Sequence, residues 1–216
     1  MNTSKPTAHH LRMHWDGVYA ARSDTALTWH QDTPRPALDV IVEYATPGAP
    51  IIDVGGGTSR LVDALLARGL GPVTVLDISQ QALTAAQDRL GKHAARVRWV
   101  SADITRWEPA MRYALWHDRA VFHFLTDADD RTAYLQRLDA ALTDDGIAVL
   151  STFADDGPES CSGLPVVRYS PEALAATLAH HLPGRLHLVA ARRHDHLTPK
   201  GNVQKFQTSV LGRGRA

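Results

Sequence analysis

Three carboxylates stand where apolar runs end: Asp53 in Ile51-Ile52-Asp53-Val54-Gly55-Gly56-Gly57-Thr58-Ser59, Asp77 in Leu76-Asp77-Ile78, and Asp103 in Ser101-Ala102-Asp103-Ile104. Gly55, Gly56 and Gly57 let the backbone approach a ligand and turn through positive φ without a Cβ penalty. An acid at the end of the following run is placed to accept hydrogen bonds from both hydroxyls of a ribose. In the dinucleotide fingerprint a third glycine packs the helix on the strand and the helix start faces a pyrophosphate. Here Arg60 takes the third position. Asp53, two residues before the first glycine, would repel a pyrophosphate but suits a ligand carrying an ammonium group. The chemistry is that of a nucleoside-containing ligand with a cationic end.

The elements that must carry these residues alternate regularly. Strands are expected at Ile51–Val54, Val73–Leu76, Val97–Val100, Tyr113–Trp116 and Gly146–Phe153, separated by amphipathic helices. Leu61, Leu65 and Leu66 share one helical face. Ser79 caps the next helix, which closes at Gly91. A further helix spans Asp127 to Leu142, and Ser170-Pro171-Glu172 begins another with serine at the cap and proline in the first turn. Arg185–Ala191 and Gln204–Val210 should pair as an antiparallel hairpin at one edge. The reading is a doubly wound, Rossmann-like α/β sheet with a helical cap over residues 1–45, broken at Pro34 and Pro36, and a core over 50–210.

This pattern, Asp53-Val54-Gly55-Gly56-Gly57-Thr58-Ser59 with Asp77 and then Asp103, resembles that of class I S-adenosylmethionine-dependent methyltransferases. The resemblance runs from about Trp15 to Val210; Ser59 stands where the commonest form has its last glycine. It implies a seven-stranded sheet, mostly parallel, with an antiparallel edge strand, and S-adenosyl-L-methionine as cofactor. By the same resemblance Asp53 lies near the methionine amino group, and Gly55 and Gly57 pass beneath the methionine and ribose. Asp77 takes the ribose hydroxyls with Ile78 on the adenine face, and Asp103 takes the adenine amino group beside Ile104. His14-Trp15-Asp16-Gly17-Val18-Tyr19, followed by Trp29 and Gln31, is similar to segments of small methyltransferases, some of which modify protein lysines. Trp15 and Tyr19 share a helical face, and their rings suit a sulfonium because the quadrupole attracts a cation.

Leu115-Trp116-His117-Asp118-Arg119-Ala120-Val121-Phe122-His123-Phe124 leads from the fourth strand into the reaction centre, since ligands of open α/β sheets sit beyond the carboxyl ends of the strands. His117 and Asp118 are expected beside the methionine moiety. His123, whose ordinary pKa lies near neutrality, is the candidate base, weighed against a packed histidine with one satisfied hydrogen bond. The polar insertion 155–165 is expected to fold over the substrate. Cys161 with His194 and His196 has the donor types for a soft metal, but exposed loop histidines are the plainer reading and no metal is expected.

Composition narrows the partner. Lys+Arg and Asp+Glu balance at 23 each, and 44% of the 216 residues are hydrophobic. A single domain over 1–216 with a sizeable core is expected, with no field for nucleic acid and no membrane span. One cysteine, Cys161, is compatible with a reducing cytoplasm, and Met1 to His14 has no apolar signal core. The expected activity is methyl transfer to a small-molecule acceptor, its O, N or S nucleophile and the oligomeric state left open. The alternatives are a protein-lysine methyltransferase and a non-catalytic nucleoside-cofactor-binding protein; a nicotinamide oxidoreductase is disfavoured by Arg60 and by the position of Asp53.

Overall fold

The computed structural model describes residues 7–214; the polar residues before Thr7, part of the N-terminal reading, lie outside them. Helix α1 (Ala8–Ala20) starts at Thr7, whose side chain accepts from His10 N–H, and a short 3₁₀ turn leads on to α2 (Ala37–Tyr44). The alternating core follows as β1 (Ile51–Val54), α3 (Leu61–Ala67), β2 (Val73–Asp77), α4 (Gln80–Leu90), β3 (Val97–Ser101), β4 (Tyr113–Arg119), α5 (Ala128–Ala141) and β5 (Leu142–Phe153). A two-stranded ribbon, β6 (Ser160–Cys161) and β7 (Leu164–Pro165), precedes α6 (Pro171–His181) and the hairpin β8 (Leu186–Leu197) and β9 (Val203–Arg213). The caps fall where the sequence places them: Ser79 accepts from Ala82 N–H, Ser170 from Ala173 N–H, and Asp127 from Asp129 and Asp130 N–H.

The large sheet has the order β3-β2-β1-β4-β5-β9-β8. The first five strands in this order run parallel, and β9, the last in sequence, pairs antiparallel with both β5 and β8. Ile51, Val73, Val75 and Leu115 pack on one face against Ile41, Leu65 and Leu83. Ile52, Leu76, Trp116 and Leu150 pack on the other against Tyr134, Leu135 and Leu174. Burial on both faces is why β1 and β2 read as nearly continuous apolar runs rather than alternating ones.

Several strands outrun their sequence limits, among them β4, which reaches Arg119, and β9, which reaches Arg213. β5 begins at Leu142, directly from α5, and β8 extends to Leu197, because its partner β9 also extends and the ladder continues between them. His194 and His196 are therefore strand residues rather than loop residues, and both rings lie against Phe206. His194 stacks on that ring, and His196 Nε2 pairs with the Thr28 carbonyl at 2.7 Å. Among the described residues no group of three His, Cys, Asp or Glu is arranged to hold a metal, and no helix is long and apolar enough to cross a membrane.

Candidate active site

The carboxyl ends of β1, β2 and β4 open into a cavity of about 380 Å³, within the small-molecule range. Asp53, Gly55, Gly56, Asp77, Ile78, Asp103, Ile104 and His117 all line it, together with Trp15, Tyr19 and Trp29 of the cap. Sequence-distant residues meet here because parallel strands put successive carboxyl ends side by side. Asp53 and His117 stand opposite each other in the β1–β4 register.

The turn after β1 is folded tightly by Leu76, whose carbonyl accepts from both Gly55 and Gly56 N–H. Gly55 has φ +68°, and a Cβ there would run into Val121, so the position requires glycine. Gly57 is set back from the cavity wall, under the Tyr19 hydroxyl, and its N–H donates to Asp77. Asp53 is buried, and its Oδ1 lies 2.7 Å from His117 Nδ1. His117 Nε2 is buried with no hydrogen-bond partner among the described residues.

Asp77 Oδ1 accepts from Ser79 N–H at 2.8 Å. Burial pushes its carboxyl up to about 7, opposed by the Ser79 and Gly57 N–H groups and reinforced by Asp53 and Asp16. Asp103 is held by its own turn, Oδ1 accepting from Thr105 N–H and Oγ1. The cap is docked by Asp16, which accepts from Ser79 Oγ at 2.6 Å and from Gln81 N–H at 3.3 Å. Above the cavity Trp15 packs edge-on to Trp29 and Phe124, with ring centroids at 6.0 and 5.2 Å, and Tyr19 packs edge-on to Trp29 at 5.8 Å.

His123 and Asp118 depart from their expected places. Neither lines the cavity. The chain leaves β4 through Ala120 at φ +68° into a 3₁₀ turn, which carries His123 beneath the wall between Phe124 and Phe153. His123 Nδ1 accepts from Phe153 N–H, and burial, aided by the Arg119 charge, lowers its pKa to about 3. Buried beneath the wall with Nδ1 engaged, the imidazole stands in a packing position, and the direction of its pKa shift disfavours a base working near neutrality. Asp118 points to the opposite side of β4 from His117, as strand alternation demands. It accepts from Val121 N–H, Phe122 N–H and the Tyr134 hydroxyl, and so fastens the turn. Burial raises its pKa to about 6, those hydrogen bonds opposing the rise.

Sequence reading assigned no role to four residues of the wall, Arg119, Phe153, Gln204 and Phe206. They line the part over β4, β5 and β9, and Cys161, Leu164 and Pro165 of the β6–β7 ribbon cover it. The 155–165 insertion thus forms a wall of the cavity. Arg119 had a readable signal, since it lies two residues after His117 on the same strand and projects to the same side.

A methyltransferase-domain family model matches residues 51–146. The chain is 27% identical over 180 residues to a trans-aconitate 2-methyltransferase of Sinorhizobium medicae (strain WSM419), covering 82% of this chain and 64% of that protein. The chain therefore spans less than two thirds of this relative's length. A Burkholderia thailandensis 1,6-didemethyltoxoflavin-N1-methyltransferase, solved with 1,6-didemethyltoxoflavin and S-adenosylhomocysteine, superposes with TM-score 0.73 at 20% identity, covering 100% of this chain and 94% of that one. N-methyltransferase NodS from Bradyrhizobium japonicum WM9, solved with S-adenosylhomocysteine, superposes with TM-score 0.69 at 16% identity, covering 93% and 97%. At such identities the structural likeness speaks for the fold. With the three strand-end carboxylates and the glycine turn, the match over residues 51–146 makes this chain similar to S-adenosylmethionine-dependent methyltransferases in its central domain.

Proposed function

We propose that the protein transfers the methyl group of S-adenosylmethionine to a small-molecule nucleophile. The observation that carries this reading is that Asp53, Asp77 and Asp103, from the ends of three adjacent strands, line one cavity roofed by Trp15, Tyr19 and Trp29. The wall fits the cofactor. Asp53 and the orphaned His117 Nε2 offer two acceptors to an ammonium group, since an Nδ1–H donated to Asp53 leaves Nε2 with its lone pair. Gly55 supplies the close backbone approach, and Asp77 is free of side-chain donors at a position suited to two ribose hydroxyls.

When bound, S-adenosylmethionine supplies an electrophilic methyl group on a cationic sulfur. The chain's own contribution is to orient and enclose. Trp15, Trp29 and Phe124 exclude water and present ring density to positive charge. With His123 beneath the wall, no histidine outside the His117–Asp53 pair is among the described lining residues. Positioning then carries most of the rate, which suits a nucleophile that arrives unprotonated. A cavity covered by the cap and by β6–β7 accommodates a small molecule better than a polypeptide, which weighs against a protein-lysine acceptor. The relatives' name makes trans-aconitate the first acceptor to assay.

Calorimetry with S-adenosylhomocysteine and NAD, followed by transfer of labelled methyl from S-adenosylmethionine to a panel of small acceptors, tests the proposal. Binding of S-adenosylhomocysteine alone, with label appearing in a small product, is expected. NAD binding without S-adenosylhomocysteine binding would overturn it; cofactor binding with label only in protein would transfer the activity to the lysine reading.

A further inference from the structure

Arg119 is the one Lys or Arg among the described residues that line the cavity. It ends β4, where its backbone pairs with Ser151 of β5, and its charge lies within electrostatic reach of Asp53 on β1. Its Nη1 and Nη2 both donate to the Trp29 carbonyl, each at 3.1 Å. The guanidinium carbon lies 5.6 Å from the centre of the Phe206 ring. Among the described residues no carboxylate lies within ion-pairing distance of it, whereas the half-buried Arg89 and the buried Arg213 are paired with Asp63 and Asp139. Such a charge, drawn partly out of water, has no direct ion-pair partner among the described residues, only the through-space influence of Asp53, and Phe153, Phe206, Leu164 and Pro165 line the same cavity.

The geometry of the tether leaves a defined opening. Two protons, one from each terminal nitrogen, go end-on to a single carbonyl oxygen. Nε–H and the outer proton of one terminal nitrogen then remain as a side-on fork, the arrangement that takes both oxygens of a carboxylate. A tether alone would need one neutral donor at this position and no charge.

We infer that Arg119 seats a carboxylate of the methyl acceptor, so that the acceptor is a small organic acid whose apolar body lies against Phe153, Phe206 and the β6–β7 ribbon. The inference rests on the methyltransferase reading and adds the substrate class to it. A carboxylate could also come from the amino-acid end of the cofactor, and the test separates the two sources. The guanidinium is seated on the Trp29 carbonyl and the Phe206 ring and is within electrostatic reach of Cys161 on the β6–β7 ribbon, surroundings that suit the acceptor.

Protein saturated with S-adenosylhomocysteine is titrated by calorimetry and ligand-observed NMR with benzoate, cinnamate and trans-aconitate, each beside its uncharged amide. At least one acid should bind about tenfold or more tightly than its amide, as a charge-assisted fork implies. Arg119→Gln should abolish that preference, Arg119→Lys should keep part of it, and both should bind S-adenosylhomocysteine within about threefold of the parent. The inference fails if no acid outbinds its amide, or if the preference survives Arg119→Gln. It also fails if Arg119→Gln weakens S-adenosylhomocysteine about tenfold while leaving 5′-methylthioadenosine, which lacks the amino-acid end, unchanged: the guanidinium would then serve the cofactor. Failure of the parent to bind S-adenosylhomocysteine at all would instead sink the methyltransferase reading, a separate signal.

Discussion

His117 Nδ1 lies 2.7 Å from Asp53 Oδ1, joining two buried side chains whose Cα atoms stand opposite each other on β1 and β4. The pair fixes the imidazole so that its second nitrogen has a lone pair to offer, and it leaves the other carboxylate oxygen for a ligand.

Asp53→Asn should therefore weaken S-adenosylhomocysteine by about 1.5–3 kcal/mol, the scale of a hydrogen bond to a charged group, while binding of 5′-methylthioadenosine changes little. Paired calorimetric titrations check this. Equal losses for both ligands would mean that the aspartate only orders β1 against β4.

Asp77 sets a pH dependence. Burial raises its carboxyl to about 7 in the free protein, and ribose hydroxyls are accepted best by the ionised form. Affinity for S-adenosylhomocysteine should rise from pH 6 to pH 8 and binding near pH 6.5 should release protons, visible as a buffer-dependent heat. Asp77→Asn should bind more weakly and lose both effects. The linkage to folding runs the other way. The folded state holds the proton more tightly than the unfolded chain, so this group's contribution to stability is complete below about pH 4. It is lost as pH rises through about 7.

His123 has the opposite sign. Its folded pKa, about 3, lies below the unfolded value, so the stability it contributes is present above about pH 6.5 and lost as pH falls towards 3. His123→Leu should remove that acid sensitivity from denaturant melts. It should also cost about 1–3 kcal/mol at pH 8, by leaving the Phe153 N–H without an acceptor. The pH profile of turnover should keep its shape.

Trp15→Leu separates ring electrostatics from packing. The aromatic roof attracts a cation by about 0.5–2 kcal/mol, so S-adenosylmethionine should lose affinity while neutral S-adenosylhomocysteine loses little. Equal losses in competition titrations would leave Trp15 a purely structural anchor.

What the sequence disclosed depended on range. Asp53 and Asp77 were legible because each ends an apolar run next to glycine or a helix cap, and Asp103 because it follows the next apolar run, signals that lie within a few residues. His123 was misplaced because the turn at Ala120, with positive φ in a residue that rarely adopts it, rotates the chain after β4, and no local pattern announces that. Strand alternation alone separated Asp118 from His117 and Arg119. The contacts that complete the site, Trp29 to Arg119 and the β6–β7 ribbon over Phe206, join segments far apart in the chain and follow from the closed tertiary structure only.

Ser79 touches both halves of the site: its N–H holds Asp77, and its hydroxyl donates to Asp16 on α1. The same few atoms that order the ribose acceptor also fasten the cap helix. On the proposed reading, release of the spent cofactor is expected to be coupled to the contact between α1 and the start of α4. Residence time would then be set in part by a side chain outside the cavity, and Asp16→Ala is expected to shorten it while leaving the walls intact.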